Sequence, residues 1–560
     1  MSEQNTVRVA AAQFAVGADI KANLASCLKA IDDAAKINPD LLVLPEFANH
    51  LSWYNDKQHC WDVSADMDDD FLSAIARKAR DVGFYVVVNV TLRRDSETVT
   101  GTSLLFDGEG NLIADNDKQI YIGHENDFLR KALCEGPIVK TSLGRLGLYA
   151  CMDGVINETP RSLGLRGGQI LLNSLNSFAS DEGSLHIPVR AAENKVFVVA
   201  ANKVGPLVPP EMVGPISQAT GIPEKFLDGA GESQIVAPDG TVLARASLTG
   251  EEVVYADIRP SDADNKTRPD GTDIFASRRP ELYCFISEDP AQQPIPSYDG
   301  AADAKAAVIS ADSLDEVVSA LKEVSGSTEI ITLPGLLGVT SLEDLHAAKS
   351  ESDKTIQAIQ SACGSSLVAT SIVASHGSGF QHQAVLIDRS GIILRQGQIH
   401  SAERFKWSAL ADDVESHQAS FGKIALITSD DSLYPEHARR LALMGIEVAC
   451  VPLIPLEAWE LNTGLLERSA ENRINYLVAT APTDLGVSFI TSLQKDFTVM
   501  TEWQDRPFDG LLSQPIWTKA KGKTCTATIH PAAAENKVVS QGTDMMRGRP
   551  WHVSQAITAT

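Results

Sequence analysis

An internal repeat with a period of about 280 residues dominates this sequence. Five segments of the first half return in the same order in the second half. The longest pair is GRLGLYACMDGVINETPRSL at 144–163 and GKIALITSDDSLYPEHARRL at 422–441. Chance similarity does not preserve the order of five segments. The repeat therefore indicates that one domain has been duplicated within the chain.

The length of the chain leads to the same division. A single hydrophobic core stops growing at roughly 250–300 residues, whereas this chain has 560. We expect one domain at 1–290, a proline-bearing linker at 291–300 and a second domain at 301–560.

Short apolar, β-branched runs alternate with longer amphipathic stretches, which is the pattern of strands alternating with helices. VRVAAAQF at 7–14 and FYVVVNVTL at 84–92 are typical strands, and NLASCLKAIDDAAKI at 23–37 has the apolar spacing of a helix. The predicted class is α/β.

Composition excludes several kinds of partner. A net charge of −25 disfavours contact with nucleic acid and with anionic lipid, because both require clustered Lys and Arg. No apolar run reaches the roughly 18–20 residues that cross a bilayer, and the amino terminus does not resemble a secretion signal, so we expect a cytoplasmic protein with no membrane partner. The eight cysteines are scattered singly, and none stands at metal-ligand spacing. We expect neither a metal nor another cofactor.

Three residues of the first repeat have the chemistry of a catalytic site. Glu46 follows an apolar strand, Lys118 follows a strand pair, and Cys151 closes the strand LGLYAC. Strand ends in α/β sheets are where ligand crevices form. Taken singly, each has a plain structural alternative: a helix cap for the glutamate, solvated surface for the lysine and a small buried hydrophobe for the cysteine.

The second repeat favours the catalytic interpretation. It has Gly335, Gln398 and Ser429 at the three positions, whereas framework residues such as Asp153 and Glu158 return as Asp431 and Glu436. A copy that keeps the fold would also keep residues that the fold requires. The joint loss therefore indicates that the three residues share one task, which the second copy has lost.

The Glu46, Lys118, Cys151 order resembles the Glu-Lys-Cys triad of the nitrilase (carbon-nitrogen hydrolase) superfamily. LPE at Glu46, G-x-LG-x-x-x-C-x-D at Cys151 and RAAEN at 190–194 are similar to landmarks of that superfamily. The resemblance implies two tandem αββα sandwich domains packed as a pseudo-dimer, the second one degenerate. It also implies a second catalytic glutamate, for which Glu125 is the best match.

The same resemblance implies an enzyme that hydrolyses a small-molecule amide to a carboxylic acid and ammonia or an amine through a cysteine thioester. An amidase is favoured because Met152 and Asp153 follow Cys151, where true nitrilases of the superfamily usually have Trp-Glu. Met152 and Asn176 are the candidate substrate-binding residues. A nitrilase and an N-carbamoyl amidohydrolase stay open as alternatives, as does a non-catalytic binding or scaffold protein.

Two further expectations concern substrate choice and assembly. The Pro- and Gly-rich insertion at 205–231 is either a specificity loop or a variable surface loop. The second copy would supply the dimer interface within one chain, and a homo-oligomer of such pseudo-dimers stays possible.

Overall fold

A computed structural model describes residues 6–559. The strands of the first half are β1 (Val7–Gln13), β2 (Leu41–Val43), β3 (Tyr85–Arg93), β4 (Val99–Phe106), β5 (Leu112–Asp117), β6 (Ile138–Thr141), β7 (Gly144–Ala150), β8 (Ile170–Ser174), β9 (Phe197–Ala201), β10 (Gln234–Val236), β11 (Val242–Arg245) and β12 (Glu252–Ile258). Its helices are α1 (Ile20–Ala35), α2 (Lys57–Val63), α3 (Asp70–Val82), α4 (Glu125–Phe128), α5 (Met152–Val155), α6 (Glu158–Leu165), α7 (Ile187–Asn194) and α8 (Pro210–Thr220).

The second half repeats this arrangement. Its strands are β13 (Ala304–Ile309), β14 (Ile330–Thr332), β15 (Leu367–His376), β16 (Gly379–Asp388), β17 (Gly391–Gly397), β18 (Ser416–Ala419), β19 (Gly422–Leu426), β20 (Val448–Pro452), β21 (Asn475–Ala479), β22 (Phe489–Ser492), β23 (Ile516–Lys519), β24 (Thr524–Ile529), β25 (Val538–Ser540) and β26 (Thr543–Asp544). Its helices are α9 (Leu314–Val324), α10 (Leu345–Ala362), α11 (Pro435–Leu443), α12 (Leu465–Asn472) and α13 (Gln555–Thr558).

Each half contains two six-stranded sheets, and the strand orders correspond one to one. The first half has β12-β1-β2-β3-β4-β5 and β11-β10-β9-β8-β7-β6, and the second has β24-β13-β14-β15-β16-β17 and β23-β22-β21-β20-β19-β18. The predicted α/β class and the tandem duplication are confirmed. The shared order also lets each strand of one six-stranded sheet be compared with a strand of the other half.

In the first half, apolar side chains pack between the two sheets and between each sheet and its outer helices. In the first half, apolar side chains such as Val9 of β1 and Leu172 of β8 meet between the two sheets. The outer face of one sheet packs against α1 and α3, through residues such as Ile31 and Ile75. The other outer face packs against α6 and α7. Because each sheet buries both faces, its central strands read as continuous apolar runs rather than as alternating patterns.

Buried ion pairs join the two halves in a pseudo-symmetric way. Arg161 of α6 pairs with Glu436 of α11 at 2.8 Å, and the equivalent Arg439 pairs with Glu158 at 2.8 Å. Such reciprocal contacts are the mark of an isologous, dimer-like interface. Although burial favours the neutral acid, the charges of Arg161 and Arg278 lower the pKa of Glu436 to about 2. The halves therefore pack as a pseudo-dimer within one chain.

Helices α7 and α12 carry a second reciprocal set. Arg190 contacts Glu471 at 2.8 Å, and the equivalent Arg468 contacts Glu193 at 2.6 Å. Arg190 also contacts Glu467 at 2.5 Å. All these side chains are buried, and a buried charge requires partners of this kind.

Candidate active site

The three predicted catalytic residues lie at strand ends that face one another. Lys118 directly follows β5, Cys151 directly follows β7, and Glu46 lies just beyond β2. The backbone N–H of Glu46 donates to Leu175 O at 3.1 Å, and that of Cys151 donates to Ser174 O at 3.0 Å. Both acceptors belong to the strand-end region of β8. This region therefore brings the glutamate of one sheet to the cysteine of the other.

Lys118 lies between two carboxylates. Its Nζ is 2.8 Å from Glu46 Oε1 and 3.0 Å from Glu125 Oε2, and the bond to Glu125 has hydrogen-bond geometry. Burial alone would lower the pKa of Lys118, but the charges of Glu125 and Glu46 raise it well above its ordinary value. Lys118 is therefore a fixed cation at neutral pH.

Glu46 is fully buried, and within the described residues neither of its carboxylate oxygens has a partner in hydrogen-bond geometry. The contact with Lys118 is therefore an ion pair of poor angle. Burial raises the pKa of Glu46, whereas the Lys118 charge opposes that shift. A carboxylate with free lone pairs and a raised pKa is suited to accept and return a proton.

Glu125, at the start of α4, is held by three donors. It accepts from Lys118 Nζ, from Ser52 Oγ at 3.1 Å and from the Ile122 N–H at 3.3 Å. The structure thus brings the predicted second glutamate to Lys118. Its occupied oxygens distinguish it from Glu46.

Cys151 sits in a strained turn between β7 and α5. Its φ is +48°, a left-handed value that is costly for a non-glycine residue and that is typical of functional sites. Its N–H donates to both Asn173 Oδ1 and Ser174 O at 3.0 Å, which holds the turn in place. Burial and the Glu46 charge raise the pKa of the thiol well above its ordinary value. Cys151 therefore needs a base before it can act as a nucleophile.

The two predicted substrate-binding residues differ in exposure. Met152 is buried in an apolar cluster at the start of α5. Asn176 is partly exposed, and its backbone N–H is directed at the Cys151 thiol, where it lowers the thiol pKa. Asn176 thus lies beside the sulfur through its backbone.

Comparison with known proteins identifies the first half. Residues 8–267 match the model of the carbon-nitrogen hydrolase family. Residues 8–267 form a carbon-nitrogen hydrolase domain. A protein named nitrilase from Pyrococcus abyssi is 26% identical over 262 residues, which cover 47% of this chain and 92% of that protein. A deaminated glutathione amidase from Mus musculus is 23% identical over 280 residues, which cover 47% of this chain and 80% of that protein. The crystal structure of an amidase from Nesterenkonia sp. is 26% identical, with a TM-score of 0.41, and covers 50% of this chain and 96% of that one.

The carbon-nitrogen hydrolase domain holds a second buried lysine that the sequence analysis missed. Lys203 follows β9, and its Nζ donates to Phe47 O at 3.4 Å. The Phe47 ring lies between two ammonium groups, with its centroid 5.3 Å from Lys118 Nζ and 5.9 Å from Lys203 Nζ. Burial lowers the pKa of Lys203 to about 8, although the Glu46 and Glu125 charges oppose that shift. A lysine at the end of an apolar strand, as in VFVVAANK, was the only available signal.

The second half has a different structure at Gly335 and Ser429, the positions equivalent to Glu46 and Cys151. Ser429 has an ordinary helical φ of −47°, and its Oγ bonds to the Ile454 backbone. A Cβ at Gly335 would lie 2.7 Å from Pro452 O, so no larger side chain fits there. Arg268 of the first half reaches the residue after Ser429, with an ion pair of 2.5 Å to Asp430. The positions equivalent to Glu46 and Cys151 in the second half therefore have different side chains, a different backbone and close neighbours.

Residues 6–559 contain neither a membrane-spanning helix nor a cluster of metal ligands. No helix there is long and apolar enough to span a bilayer. No group of three or more His, Cys, Asp or Glu side chains in that range is arranged to bind a metal ion.

Proposed function

We propose that the carbon-nitrogen hydrolase domain hydrolyses a small amide to a carboxylic acid and ammonia or an amine, with Cys151 as the nucleophile. One observation carries the proposal. A buried carboxylate, an ammonium 2.8 Å away and a strained cysteine converge at the ends of facing strands. This set contains a base, a cation and a nucleophile, which are the groups that acyl transfer requires.

In the first step, Glu46 takes the thiol proton while the sulfur of Cys151 attacks the amide carbon. The carbonyl oxygen becomes an oxyanion, and the Lys118 ammonium stabilises it. Removing one donor of this kind costs about 3–4 kcal/mol of barrier in comparable sites. Glu46 then gives its proton to the leaving nitrogen as the C–N bond breaks, which leaves a thioester on Cys151.

In the second step, Glu46 removes a proton from water, and the hydroxide attacks the thioester. The C–S bond breaks, the sulfur regains the proton from Glu46, and the carboxylic acid leaves. Glu125 takes no proton in this scheme, because its oxygens already accept three hydrogen bonds. Its task is to hold Lys118 in position and charged.

An amide is favoured as the substrate over a nitrile because Met152 and Asp153 follow the cysteine. Asp153 is fully committed to the fold, since its Oδ1 accepts the N–H groups of Gln119 and Ile120 at 2.9 and 2.8 Å. It therefore fixes the backbone just beyond Lys118. A carbamoyl substrate would pass through the same steps and differ only in releasing carbon dioxide with ammonia.

We also propose that residues 1–290 are the catalytic domain, that 291–300 are a linker, and that 301–560 serve as an internal partner. Arg190 supports this role for the second half. It donates to Gly154 O at 2.7 Å and to Val155 O at 2.9 Å, in the helix that follows Cys151, while Glu467 and Glu471 of the second half hold its guanidinium.

The test is ammonia release from aliphatic, aromatic and carbamoyl amides and from nitriles. The wild-type protein is compared with Cys151→Ala and with Cys450→Ala, which removes an equally buried thiol from the second half. We expect turnover of an amide that only Cys151→Ala abolishes. Turnover that survives in Cys151→Ala would refute the nucleophile, and turnover restricted to nitriles would refute the amidase assignment.

A further inference from the structure

Two connections break the symmetry between the halves. The connection from β9 to β10 covers residues 202–233, whereas its counterpart from β21 to β22 covers only 480–488. Conversely, β22 and β23 are joined by residues 493–515, the 493–515 segment, whereas residues 237–241 join β10 and β11. Each half therefore carries one long connection that the other lacks.

These two long connections meet each other. The Phe508 ring of the 493–515 segment lies 5.5 Å from the Phe226 ring of the first half, in an edge-on arrangement. Gly510 packs so closely against Phe226 that a Cβ there would collide with the ring. Trp503 adds a third ring, 4.8 Å from Phe508. The two insertions thus form one aromatic contact across the pseudo-dimer.

The 493–515 segment also holds the loop that follows β8. Ser180 donates to Gly510 O through its N–H at 2.9 Å and through its hydroxyl at 3.1 Å. Asp181 is fully buried and accepts the N–H groups of Leu512 and Ser513, both at 2.8 Å. The 175–181 loop is therefore fixed by backbone groups of the other half.

This loop is a wall of the catalytic site. It contains Asn176, whose N–H is directed at the Cys151 sulfur, and Phe178, which is partly exposed. The Phe178 ring lies 5.9 Å from the Phe508 ring. Phe178 is two residues from Asn176, and Phe508 packs directly against the Phe178 ring.

The same part of the second half also contacts the loop that carries Glu125. The Val499 N–H of the 493–515 segment donates to Val539 O at 2.8 Å, in β25. Next in the chain, the Ser540 hydroxyl accepts the Gly123 N–H at 2.8 Å, just before Glu125. The loops that carry Glu125 and Asn176 are therefore both fixed by the second half.

We propose that the 493–515 segment of the second half forms one wall of the substrate path to Cys151, and that Phe508 limits the size of the acyl group. The wall presents the aromatic rings of Phe178 and Phe508, and the neighbouring charges of Arg506 and Asp509 pair with each other at 2.6 Å. It would therefore select small apolar acyl groups over extended ones. The idea of an acyl substrate rests on the proposed function. The wall itself rests only on the contacts between the 493–515 segment and the 175–181 loop.

The first test measures access to Cys151 without using hydrolysis. Wild type and Phe508→Ala are treated with iodoacetamide, which is small, and with N-benzylmaleimide, which is bulky. Modification is followed by mass spectrometry of the peptide that contains Cys151, because exposed Cys134 and Cys284 also react. We expect Phe508→Ala to raise the rate with the bulky reagent, relative to the small one, by about tenfold, the scale at which an apolar pocket discriminates by size.

Controls keep this test decisive. Glu502→Ala changes an exposed residue of the same segment and is expected to leave the ratio unchanged. Phe508→Leu keeps an apolar side chain and a folded segment, and an intermediate ratio is expected. An unchanged ratio in both Phe508 variants would overturn the proposal, as would a Cys151 that stays unlabelled by both reagents in Phe508→Ala.

The second test uses amides of increasing acyl length. We expect Phe508→Ala to raise kcat/KM for the longer amides relative to acetamide by a similar factor. If no variant hydrolyses any amide while the labelling ratio still changes, the proposed function fails and the wall stands. If amides are hydrolysed with the same length preference in wild type and Phe508→Ala, the wall fails and the function stands.

Discussion

Arg190 links the helix after Cys151 to Glu467 and Glu471 of the second half, and Arg190→Met tests whether Cys151 depends on that link. The substitution removes a guanidinium that contacts Glu193 at 2.6 Å, Glu467 at 2.5 Å and Glu471 at 2.8 Å, all fully buried. Taking one partner from a buried ion pair costs about 3–5 kcal/mol, because an uncompensated charge is left in a medium of low dielectric. Glu193 and Glu471 keep Arg468 as a partner, and Glu467 keeps His186 at 2.8 Å. We therefore expect a loss within that range and not a multiple of it.

The matched control is Arg468→Met, which removes the pseudo-symmetric guanidinium. Arg468 is equally buried, but it donates to Leu433 O rather than to the helix after Cys151. Urea unfolding followed by tryptophan fluorescence measures the free energy of unfolding of both variants, and iodoacetamide labelling measures the reactivity of Cys151. We expect both variants to lose stability and only Arg190→Met to change Cys151 labelling.

Two results would refute this reasoning. A loss below about 1 kcal/mol in Arg190→Met would mean that the buried network does not stabilise the pseudo-dimer in the way the contacts imply. An equal change in Cys151 labelling in both variants would mean that the effect is general loosening rather than support of α5.

Three further predictions can be checked directly. The positive charge of Lys203 lowers the pKa of Glu46, so Lys203→Met should move the acid limb of the pH–activity profile to higher pH. Lys203→Arg keeps the charge and should leave the acid limb where it is in the wild-type protein. An acid limb that does not move in Lys203→Met would contradict this electrostatic role. The pKa of Glu436 is about 2 in the folded protein and about 4.3 in the unfolded chain. Its contribution to the free energy of unfolding is therefore full at pH values above about 4.3 and is lost as the pH falls towards 2. Glu436→Gln should flatten that part of the curve of stability against pH, and an unchanged slope would count against the ion pair. Residues 1–290 expressed alone should be insoluble or inactive because their face for the second half carries buried charges, and a stable, active fragment would remove the need for the second half.

The sequence was sufficient to predict the features that repeat or that follow a period. Strand VRVAAAQF and helix NLASCLKAIDDAAKI lie within a residue or a few of β1 and α1, since apolar spacing reports directly on which face is buried. The duplication was visible because both copies keep their framework. Glu46, Lys118 and Cys151 were found because the second copy has replaced them, and the structure brings all three together with Glu125.

Other features left no such signal. Lys203 looks like any lysine after a strand, and only the fold shows that its charge faces Glu46. The contact of Arg268 with the second half could not be predicted, because its partners Asp430 and Glu460 are distant in sequence. The 493–515 segment has no counterpart in the first half, so a comparison of the repeats could not give it a role.

The closure around Gly335 has a consequence for the engineering of the chain. A glutamate side chain needs space that Pro452 O and Ile454 now occupy, and Ser429 has the relaxed backbone of a helix rather than the strained turn of Cys151. The triple substitution Gly335→Glu, Gln398→Lys, Ser429→Cys would therefore introduce the three residue types of the triad without giving them the geometry of the site in the first half. Point mutations at these three positions alone would therefore not create a site in the second half, because the backbone at Ser429 and the neighbours of Gly335 would also have to move.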